Sequence, residues 1–369
     1  MDFVDRLRVV LTVLVIAHHA AITYGASGGW FYREVADGVD PSSFVLTLLT
    51  AVNQTFFMGM FFLFAGYFTP GSWQKKGTAR FLGDRLVRLG VPLLVFGFCL
   101  GPLTVALAGM PAGKPVIDGW VGMMASGVFV VGPLWFALAL LVFTLCWVLW
   151  LGPRGTPAGK VASTNDRLPS WPAWLLGAVG VGAAALLIRQ WVPVGRSVFG
   201  LQLGYFASYI FLFAVGCRGA AGRWIERVTA EQAKGWGMVS LVTLPSLFVA
   251  AVLGGAFDGR AVNFYGGLGL PAIVYALWEP FVAWGIIAAL LVVFRTRFNR
   301  PSARWGTWSR NAFGAFIVHA PILVGLSVLA APWRAVAMAK FAIITAGSVA
   351  LSFWVAGLLR KIPGSARVL

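Results

Sequence analysis

Long apolar stretches recur along the whole of this 369-residue chain, and they leave few folds open to it. A helix needs about 20 apolar residues to cross a bilayer, because every backbone polar group in lipid must be hydrogen-bonded internally. Only 11% of the residues are charged, against about 25% in a typical soluble domain. The pattern predicts an all-α, polytopic integral membrane protein with about ten transmembrane helices. The expected spans lie near residues 7–25, 44–69, 89–108, 133–151, 172–193, 197–218, 236–257, 271–295, 311–331 and 335–359.

The apolar stretch 120–132 is too short to span a membrane, and we expect a separate re-entrant or surface-lying segment there. The first apolar stretch is interrupted by His18 and His19, and no clean small-residue cleavage site follows it. It is therefore expected to be a retained helix and not a signal peptide. Because the apolar stretches follow one another to the end of the chain, we predict a single transmembrane domain over 1–369 with no appended soluble domain.

Basic side chains are distributed unevenly between the two sides of the predicted spans. Of the 29 lysines and arginines, 22 fall on the side of the N-terminus and seven on the other. Cytoplasmic loops collect Lys and Arg, so this bias predicts cytoplasmic termini and an even number of spans. It also accounts for the net charge of +17, so we expect no nucleic-acid partner. The seven residues on the outer side are Arg33, Lys114, Arg189, Arg196, Arg260, Arg334 and Lys340.

The cysteines carry no signature of a metal centre or of a disulfide framework. Cys99, Cys146 and Cys217 each lie within or at the edge of an apolar stretch, and their spacing shows no pairing. Metal sites and disulfide scaffolds use clustered or regularly spaced cysteines. We therefore predict that the chain holds no metal.

The first predicted helix carries an arginine and a histidine on one face. His19 follows Arg8 by eleven residues, which at 100° per residue places the two side chains about 20° apart around the helix axis. His18 lies about 80° from Arg8, so His19 is the better candidate for a site that includes this arginine. Ionisable groups inside a membrane are costly and usually functional. Bonding between neighbouring helices is the structural alternative for the histidine doublet.

A second intramembrane group, Glu279, lies at a matching depth. It is about 12 Å from the outer end of its predicted helix, and His19 is about 9 Å from the outer end of the first. A carboxylate beside an imidazole raises its basicity and fixes its tautomer, so we predict a catalytic pair of His19 and Glu279. A purely structural hydrogen-bonding role for Glu279 is the alternative.

Two arginines lie one helical turn apart at the inner end of the third predicted helix. Arg85 and Arg88 stand at positions i and i+3, which share a face of an α-helix. Two guanidinium groups at that point would bind the phosphates of an anionic ligand. Ordinary positive-inside anchoring explains the same residues equally well.

His319 lies about 12 Å from the inner end of its predicted helix, between the arginine pair and His19 in depth. It would line a passage between the two, or it would pack as a structural residue. Asn53 and Gln54 also lie within a predicted span. Single amides more often join neighbouring helices by hydrogen bonds than take part in chemistry, and we expect that role for both.

These motifs together resemble the acyltransferase-3 family of integral membrane acyltransferases. The resemblance rests on the R-x10-H pattern of Arg8 and His19 and on the R-x-x-R pattern of Arg85 and Arg88. Further stretches that match the family are FFMGMFFLFAGYF (56–68), GPLWFALALL (132–141) and FGAFIVHAPIL (313–323). The branch of the family that it resembles most is the glucan-succinylating type, which has YFTP followed by a Lys-Gly loop, as at 67–70 and 76–77.

The resemblance implies a ten-helix core in the bacterial cytoplasmic (inner) membrane. Such a core moves an acyl group from a cytoplasmic acyl-CoA to a hydroxyl of an extracytoplasmic carbohydrate, and it uses no cofactor besides this donor substrate. Arg8, Arg85, Arg88 and His319 would bind the donor, and His19 would remove the acceptor's proton. An acyl-histidine intermediate is an open alternative. Membrane lipid is the remaining expected partner.

A proton-coupled secondary transporter is the rival from another class of protein. Ten helices with intramembrane histidines and a carboxylate suit proton-coupled export. The sequence shows no inverted repeat and no pair of broken helices, which such transporters commonly have. The absence of these features favours the enzyme.

Overall fold

A computed structural model describes residues 1–38, 40–151 and 167–368 of the chain. Arg154 and Lys160, two of the 22 basic residues on the predicted inner side, lie outside the described residues. Within those ranges the regular secondary structure is helical, and the only β-type pairings are isolated bridges between Tyr24 and Val35 and between Val198 and Leu201. The predicted all-α class is confirmed.

Nine helices among the described residues are long and apolar enough to cross a membrane. Two further apolar helices are shorter. The first, α4, overlaps the stretch 120–132 that was predicted to be too short to span, and the second, α7, corresponds to the expected span 197–218. The chain is thus a polytopic membrane protein, and α7, with 17 residues, decides whether the spans number nine or ten. The helices are α1 (Asp2–Thr23), α2 (Ser42–Lys76), α3 (Thr78–Ala108), α4 (Val116–Ala125), α5 (Gly132–Trp150), α6 (Trp171–Trp191), α7 (Leu203–Gly219), α8 (Ala230–Asp258), α9 (Leu270–Arg297), α10 (Ala303–Leu329) and α11 (Ala337–Leu359).

The chain forms two compact units, and each is assembled from three separated segments. Both units therefore contain residues from the beginning and from the later part of the sequence. Unit 1 comprises Met1–Leu7, Gln54–Thr78 and Cys146–Arg300, and unit 2 comprises Arg8–Asn53, Ala79–Leu145 and Pro301–Leu369.

Glycines allow two helices of unit 1 to approach closely. A Cβ added to Gly66 on α2 would lie 2.1 Å from the carbonyl oxygen of Phe213 on α7. A Cβ added to Gly216 on α7 would lie 2.3 Å from the carbonyl oxygen of Leu63 on α2. Membrane helices lack a hydrophobic driving force for association, so close backbone packing at small residues takes its place.

In unit 2, helix α1 packs against α10 and α11. Near its first half, Val9 lies in a buried cluster with Ala312 and Ala315 of α10 and with Phe353 and Ala356 of α11. The alanines keep the helices close, and the larger Val and Phe side chains fill the space between them. This packing fixes the position of the histidines that lie farther along α1.

The segment 24–38, which we call the Trp30 loop, folds back onto the end of α1. The amide of Glu34 donates to the carbonyl of Thr23 (2.9 Å), and the Arg33 guanidinium donates to the carbonyl of Ala26 (2.9 Å). The side chain of the same Glu34 forms an ion pair with the Lys340 ammonium of α11, which also donates to the carbonyl of Ala330. These bonds hold the loop over the histidines of α1.

Helix α3 is not a regular α-helix. Two π-helical segments, Leu86–Gly90 and Phe96–Leu100, interrupt it. A π turn closes its hydrogen bond from i to i+5, so it widens the helix and shifts the faces on which later residues lie. Arg85 ends the α-helical part, and Arg88 lies inside the first π segment. The spacing i, i+3 therefore no longer implies the common face that an α-helix would give.

Candidate active site

Two histidines from different helices of unit 2 meet in its interior. The Nδ1 atom of His19, on α1, lies 3.1 Å from the Nε2 atom of His319, on α10. Their ring planes are nearly parallel, with an angle of 8° between them and with ring centroids 5.2 Å apart. His319 is fully buried, whereas His19 keeps partial exposure. The structure therefore joins two residues that were predicted for separate parts of the site.

The hydrogen-bond partners of the pair determine which ring nitrogens carry protons. Nδ1 of His319 lies 2.6 Å from the carbonyl oxygen of Phe316. A carbonyl oxygen only accepts, so this Nδ1 carries the proton and the Nε2 of neutral His319 accepts. His19 then donates from its Nδ1, and its own Nε2 keeps a free lone pair. The chain of bonds from Phe316 through His319 thus prepares His19 to act as a base.

Trp30 covers one face of the His19 ring. Its indole stacks on the imidazole with 3.8 Å between ring centroids and 11° between planes. The same indole lies 5.9 Å from the His319 ring at 14°. An aromatic face attracts a cation held against it, so the indole would stabilise the imidazolium that forms when His19 takes up a proton. In the same loop, burial and the neighbouring Glu34 carboxylate raise the pKa of the Tyr32 phenol.

The arginines predicted for donor binding belong to unit 2 as well, on α1 and α3. Arg8 is partly buried, and its carbonyl accepts a hydrogen bond from the Thr12 hydroxyl (2.9 Å). The Arg85 guanidinium lies over the Phe81 ring, 5.3 Å from its centroid, and Arg88 is exposed. Their joint role toward an anionic donor stays a prediction.

Glu279 has a different partner from the one predicted. It belongs to α9 in unit 1, where its Oε2 forms an ion pair with Nη2 of Arg189 on α6. We predicted a pair with His19, but the Glu279 side chain accepts its hydrogen bond from Arg189 and the ring of His19 bonds to His319. The expected pairing is corrected accordingly. Depth along a helix fixes one coordinate of a residue, and it says nothing about which helices are neighbours.

Sequence reasoning missed two residues that the structure places beside the predicted ones. Arg189 was counted only as a charge at the outer end of a helix, although its side chain is 1% exposed. Trp30 was not singled out from the sequence, and its indole stacks on the His19 imidazole. The one available signal for Arg189 was its position inside an apolar run, two residues before the end of α6.

The intramembrane amides behave as helix-joining groups. The Asn53 side chain of α2 donates to the carbonyl of Leu14 on α1 (3.1 Å). The Gln54 side chain donates to the hydroxyl of Tyr209 on α7 (2.9 Å). Each bond lies within one unit, Asn53 in unit 2 and Gln54 in unit 1. The predicted structural role of the two amides is consistent with these contacts.

The fold and this site together define a class, a polytopic helical membrane protein that holds a hydrogen-bonded histidine pair within one of its two units. The acyltransferase-3 family model, described as an acyltransferase domain, matches residues 1–357. The chain therefore belongs to this family and is an acyltransferase, which favours the enzyme over the transporter. Neither a search of curated proteins nor a search of solved structures finds a match.

Proposed function

We propose that this membrane acyltransferase moves an acyl group from a cytoplasmic acyl-CoA to a hydroxyl of an extracytoplasmic carbohydrate, with His19 as the general base. The observation that carries this proposal is the chain of hydrogen bonds from the Phe316 carbonyl through His319 to His19. It leaves a lone pair on Nε2 of His19, which is partly accessible. A general base needs this combination of a fixed tautomer and an open nitrogen.

The transfer then runs in two proton movements. The acceptor hydroxyl gives its proton to Nε2 of His19 as its oxygen forms a bond to the thioester carbon. The carbon–sulfur bond breaks, and the coenzyme A thiolate takes the proton back from the imidazolium. His19 returns to its neutral tautomer and the acyl ester is released. His319 keeps its hydrogen bond to Nδ1 of His19 throughout, so it orients the base and stabilises its charged form.

The donor is assigned to the arginine side of unit 2. Coenzyme A carries phosphates at its head, and guanidinium groups bind phosphate with paired hydrogen bonds. Arg85 and Arg88 lie at the end of α3 that the charge bias predicts to be cytoplasmic, where a soluble anionic donor arrives. Arg8 lies near the start of α1, about 16 Å below His19 along the helix.

Family membership and the resemblance of stretches 67–70 and 76–77 to the glucan-succinylating branch support a carbohydrate as the acceptor. A carbohydrate acceptor outside the bacterial inner membrane fits the predicted depth of His19, which is nearer the outer end of α1. His19 would therefore lie where a carbohydrate that enters from outside meets an acyl-CoA that is bound from the cytoplasmic side.

The test uses the full chain, purified into nanodiscs, with acetyl-CoA and succinyl-CoA as donors and a neutral glucan as acceptor. Release of free coenzyme A and the mass of the glucan product report transfer. We expect His19→Ala to lower kcat by about 10² to 10⁴-fold, the range for loss of a general base. His18→Ala is the matched control and should keep most of the activity. An inactive His18→Ala together with an active His19→Ala would contradict the assignment.

A further inference from the structure

We infer that unit 1 carries a binding subsite for a hydroxymethyl or hydroxyl group of a neutral carbohydrate, built around the Arg189–Glu279 ion pair. Naming this carbohydrate as the acceptor rests on the proposed function, but its binding does not. The inference concerns unit 1 alone, and no step of acyl transfer is placed there.

The ion pair is a costly polar feature of unit 1. Arg189 and Glu279 have side chains only 1% and 9% exposed, and both lie in helices that are long and apolar enough to span a membrane. Taking two charges out of water costs more than their mutual attraction usually returns, so a buried pair adds little to stability. Inside a membrane such a pair is functional by default.

Neighbouring groups fix the Arg189 guanidinium, but one nitrogen of Arg189 and one carboxylate oxygen of Glu279 have no hydrogen-bond partner among the described residues. Arg189 Nε donates to the carbonyl of Gly204 (3.0 Å), and its guanidinium lies 5.0 Å and 5.5 Å from the ring centroids of Tyr275 and Tyr205. Yet Nη1 of Arg189 and Oε1 of Glu279 are buried, and neither makes a hydrogen bond within the part of the chain that the structure describes. One donor and one acceptor are thus vacant on the same pair. Of the two residues, Glu279 lines a pocket, where its Oε1 would accept a hydrogen bond from an entering hydroxyl group.

A pocket opens beside Glu279, and its polar lining is neutral apart from that carboxylate. It holds about 300 Å³ of empty space with its open mouth included, and its enclosed part has room for about one water-sized group. This size admits one hydroxyl group, while the rest of a sugar, including the carbon of a hydroxymethyl group, stays at the mouth. The polar side chains of the lining are Gln54, Thr55, Tyr205, Ser208, Tyr209 and Glu279.

Charge and position select the class of ligand. Because Arg189 compensates Glu279, the pair has no net charge, so it favours a neutral group over an anion or a cation. Hydroxyl, amide and tyrosine side chains are the groups that orient polar, ring-shaped ligands. Arg189 lies two residues before the end of α6 and Gly204 is the second residue of α7, and the charge bias predicts both of these helix ends to be on the outer side. A carbohydrate outside the membrane would reach this pocket.

The experiment measures binding without any acyl donor. Saturation-transfer NMR on the full chain in nanodiscs compares glucose with xylose, which lacks the hydroxymethyl group, and with glucuronate, which has a carboxylate in its place. We expect the wild type to bind glucose more strongly than either. In Glu279→Gln the Arg189 charge is uncompensated, so the ratio of glucuronate to glucose binding should rise about 10-fold or more. The exposed Glu231 provides the matched control, Glu231→Gln, which should bind like the wild type.

A variant that breaks a buried ion pair risks misfolding, so Ser208→Ala serves as a second variant. It removes one lining hydroxyl, leaves the ion pair intact and should weaken glucose binding several-fold. Equal binding of glucose and xylose by the wild type would overturn the inference. So would an unchanged glucuronate-to-glucose ratio in Glu279→Gln together with unchanged glucose binding in Ser208→Ala. Glucose binding without any acyl transfer would support it and would count against the proposed function.

Discussion

His319 is the residue whose role the structure changes most. It was expected either to line a passage for the donor or to pack as a structural residue. In the structure it is fully buried, and its Nε2 atom lies 3.1 Å from Nδ1 of His19. A buried imidazole with one partner on each ring nitrogen has a fixed tautomer. It therefore acts on the base and has no open nitrogen for a substrate. This makes His319 a positioning residue in the proposed mechanism.

We expect His319→Leu to lower kcat by about 10² to 10⁴-fold with little change in donor affinity, because His19 loses the acceptor that fixes its tautomer. His319→Gln should keep more activity, since an amide oxygen accepts from the Nδ1–H of His19. The chain has only three histidines, so ¹⁵N NMR of histidine-labelled protein resolves their tautomers. Wild-type His19 should show the Nδ1–H form and lose it in His319→Leu. An Nε2–H form in the wild type would remove the argument for a base.

The stacking of Trp30 on the His19 imidazole leads to a second prediction at the residue scale. Its indole faces the His19 imidazole at 3.8 Å, and the attraction of an aromatic face for a cation is greatest for Trp and smaller for Phe. Trp30→Phe should lower kcat by a few fold and Trp30→Leu by about 2- to 30-fold, which corresponds to about 0.5–2 kcal/mol. Trp333, an exposed tryptophan also in unit 2, supplies the control Trp333→Leu. Equal loss in Trp30→Phe and Trp30→Leu would mean that the ring acts by packing alone.

At the scale of single helices, α3 carries the donor hypothesis. If Arg85 and Arg88 bind phosphates, replacing either with Gln should weaken acyl-CoA binding by about 10- to 150-fold, since a hydrogen bond to a charged group contributes about 1.5–3 kcal/mol. Arg80 is an exposed arginine on the same helix that is not assigned to donor binding, so Arg80→Gln is the matched control and should bind acyl-CoA normally. Calorimetry with a non-hydrolysable acyl-CoA measures all three. Unchanged acyl-CoA affinity in the variant with both Arg85→Gln and Arg88→Gln would mean that these arginines only set the orientation of the helix in the membrane.

The close approach of α2 and α7 in unit 1 makes a second prediction at this scale. Gly66→Ala would place a methyl group 2.1 Å from the backbone oxygen of Phe213, so the helices must move apart. We expect it to destabilise the protein by about 1–3 kcal/mol, the usual effect of overpacking. Gly71→Ala on the same helix meets nothing within 4 Å and should leave the melting temperature unchanged or raise it. Equal melting temperatures for the two variants would contradict the predicted clash.

At the scale of the whole molecule, the sequence predicted what periodicity and charge can encode. Apolar length predicted the all-α membrane class, and the eleven-residue spacing predicted that Arg8 and His19 share a face of α1. Which helices are neighbours is a tertiary property that no local pattern records. For this reason the His19–His319 contact was not foreseen and Glu279 was given the wrong partner. Nor did any sequence signal reveal the π segments of α3, which change the faces predicted for its arginines.

Whether α7 crosses the membrane decides the topology of the whole chain. Its 17 residues extend about 25 Å at 1.5 Å per residue, which is short for a hydrocarbon core of about 30 Å. The charge bias nevertheless requires an even number of spans, and snorkelling at the helix ends or local thinning of the bilayer accommodates a mismatch of a few ångströms. We therefore expect α7 to span and the total to be ten.

Two cysteine substitutions test this directly, in a background in which Cys99, Cys146 and Cys217 are replaced by Ser. Ser197 is exposed between α6 and α7, and Ser302 is exposed between α9 and α10. Three helices, α7, α8 and α9, lie between the two positions in the chain. If all three span, a membrane-impermeant maleimide added to intact cells labels Ser197→Cys and leaves Ser302→Cys unlabelled until the membrane is opened. Labelling of both positions from the same side would mean that α7 does not span, and the even count inferred from the charges would be wrong.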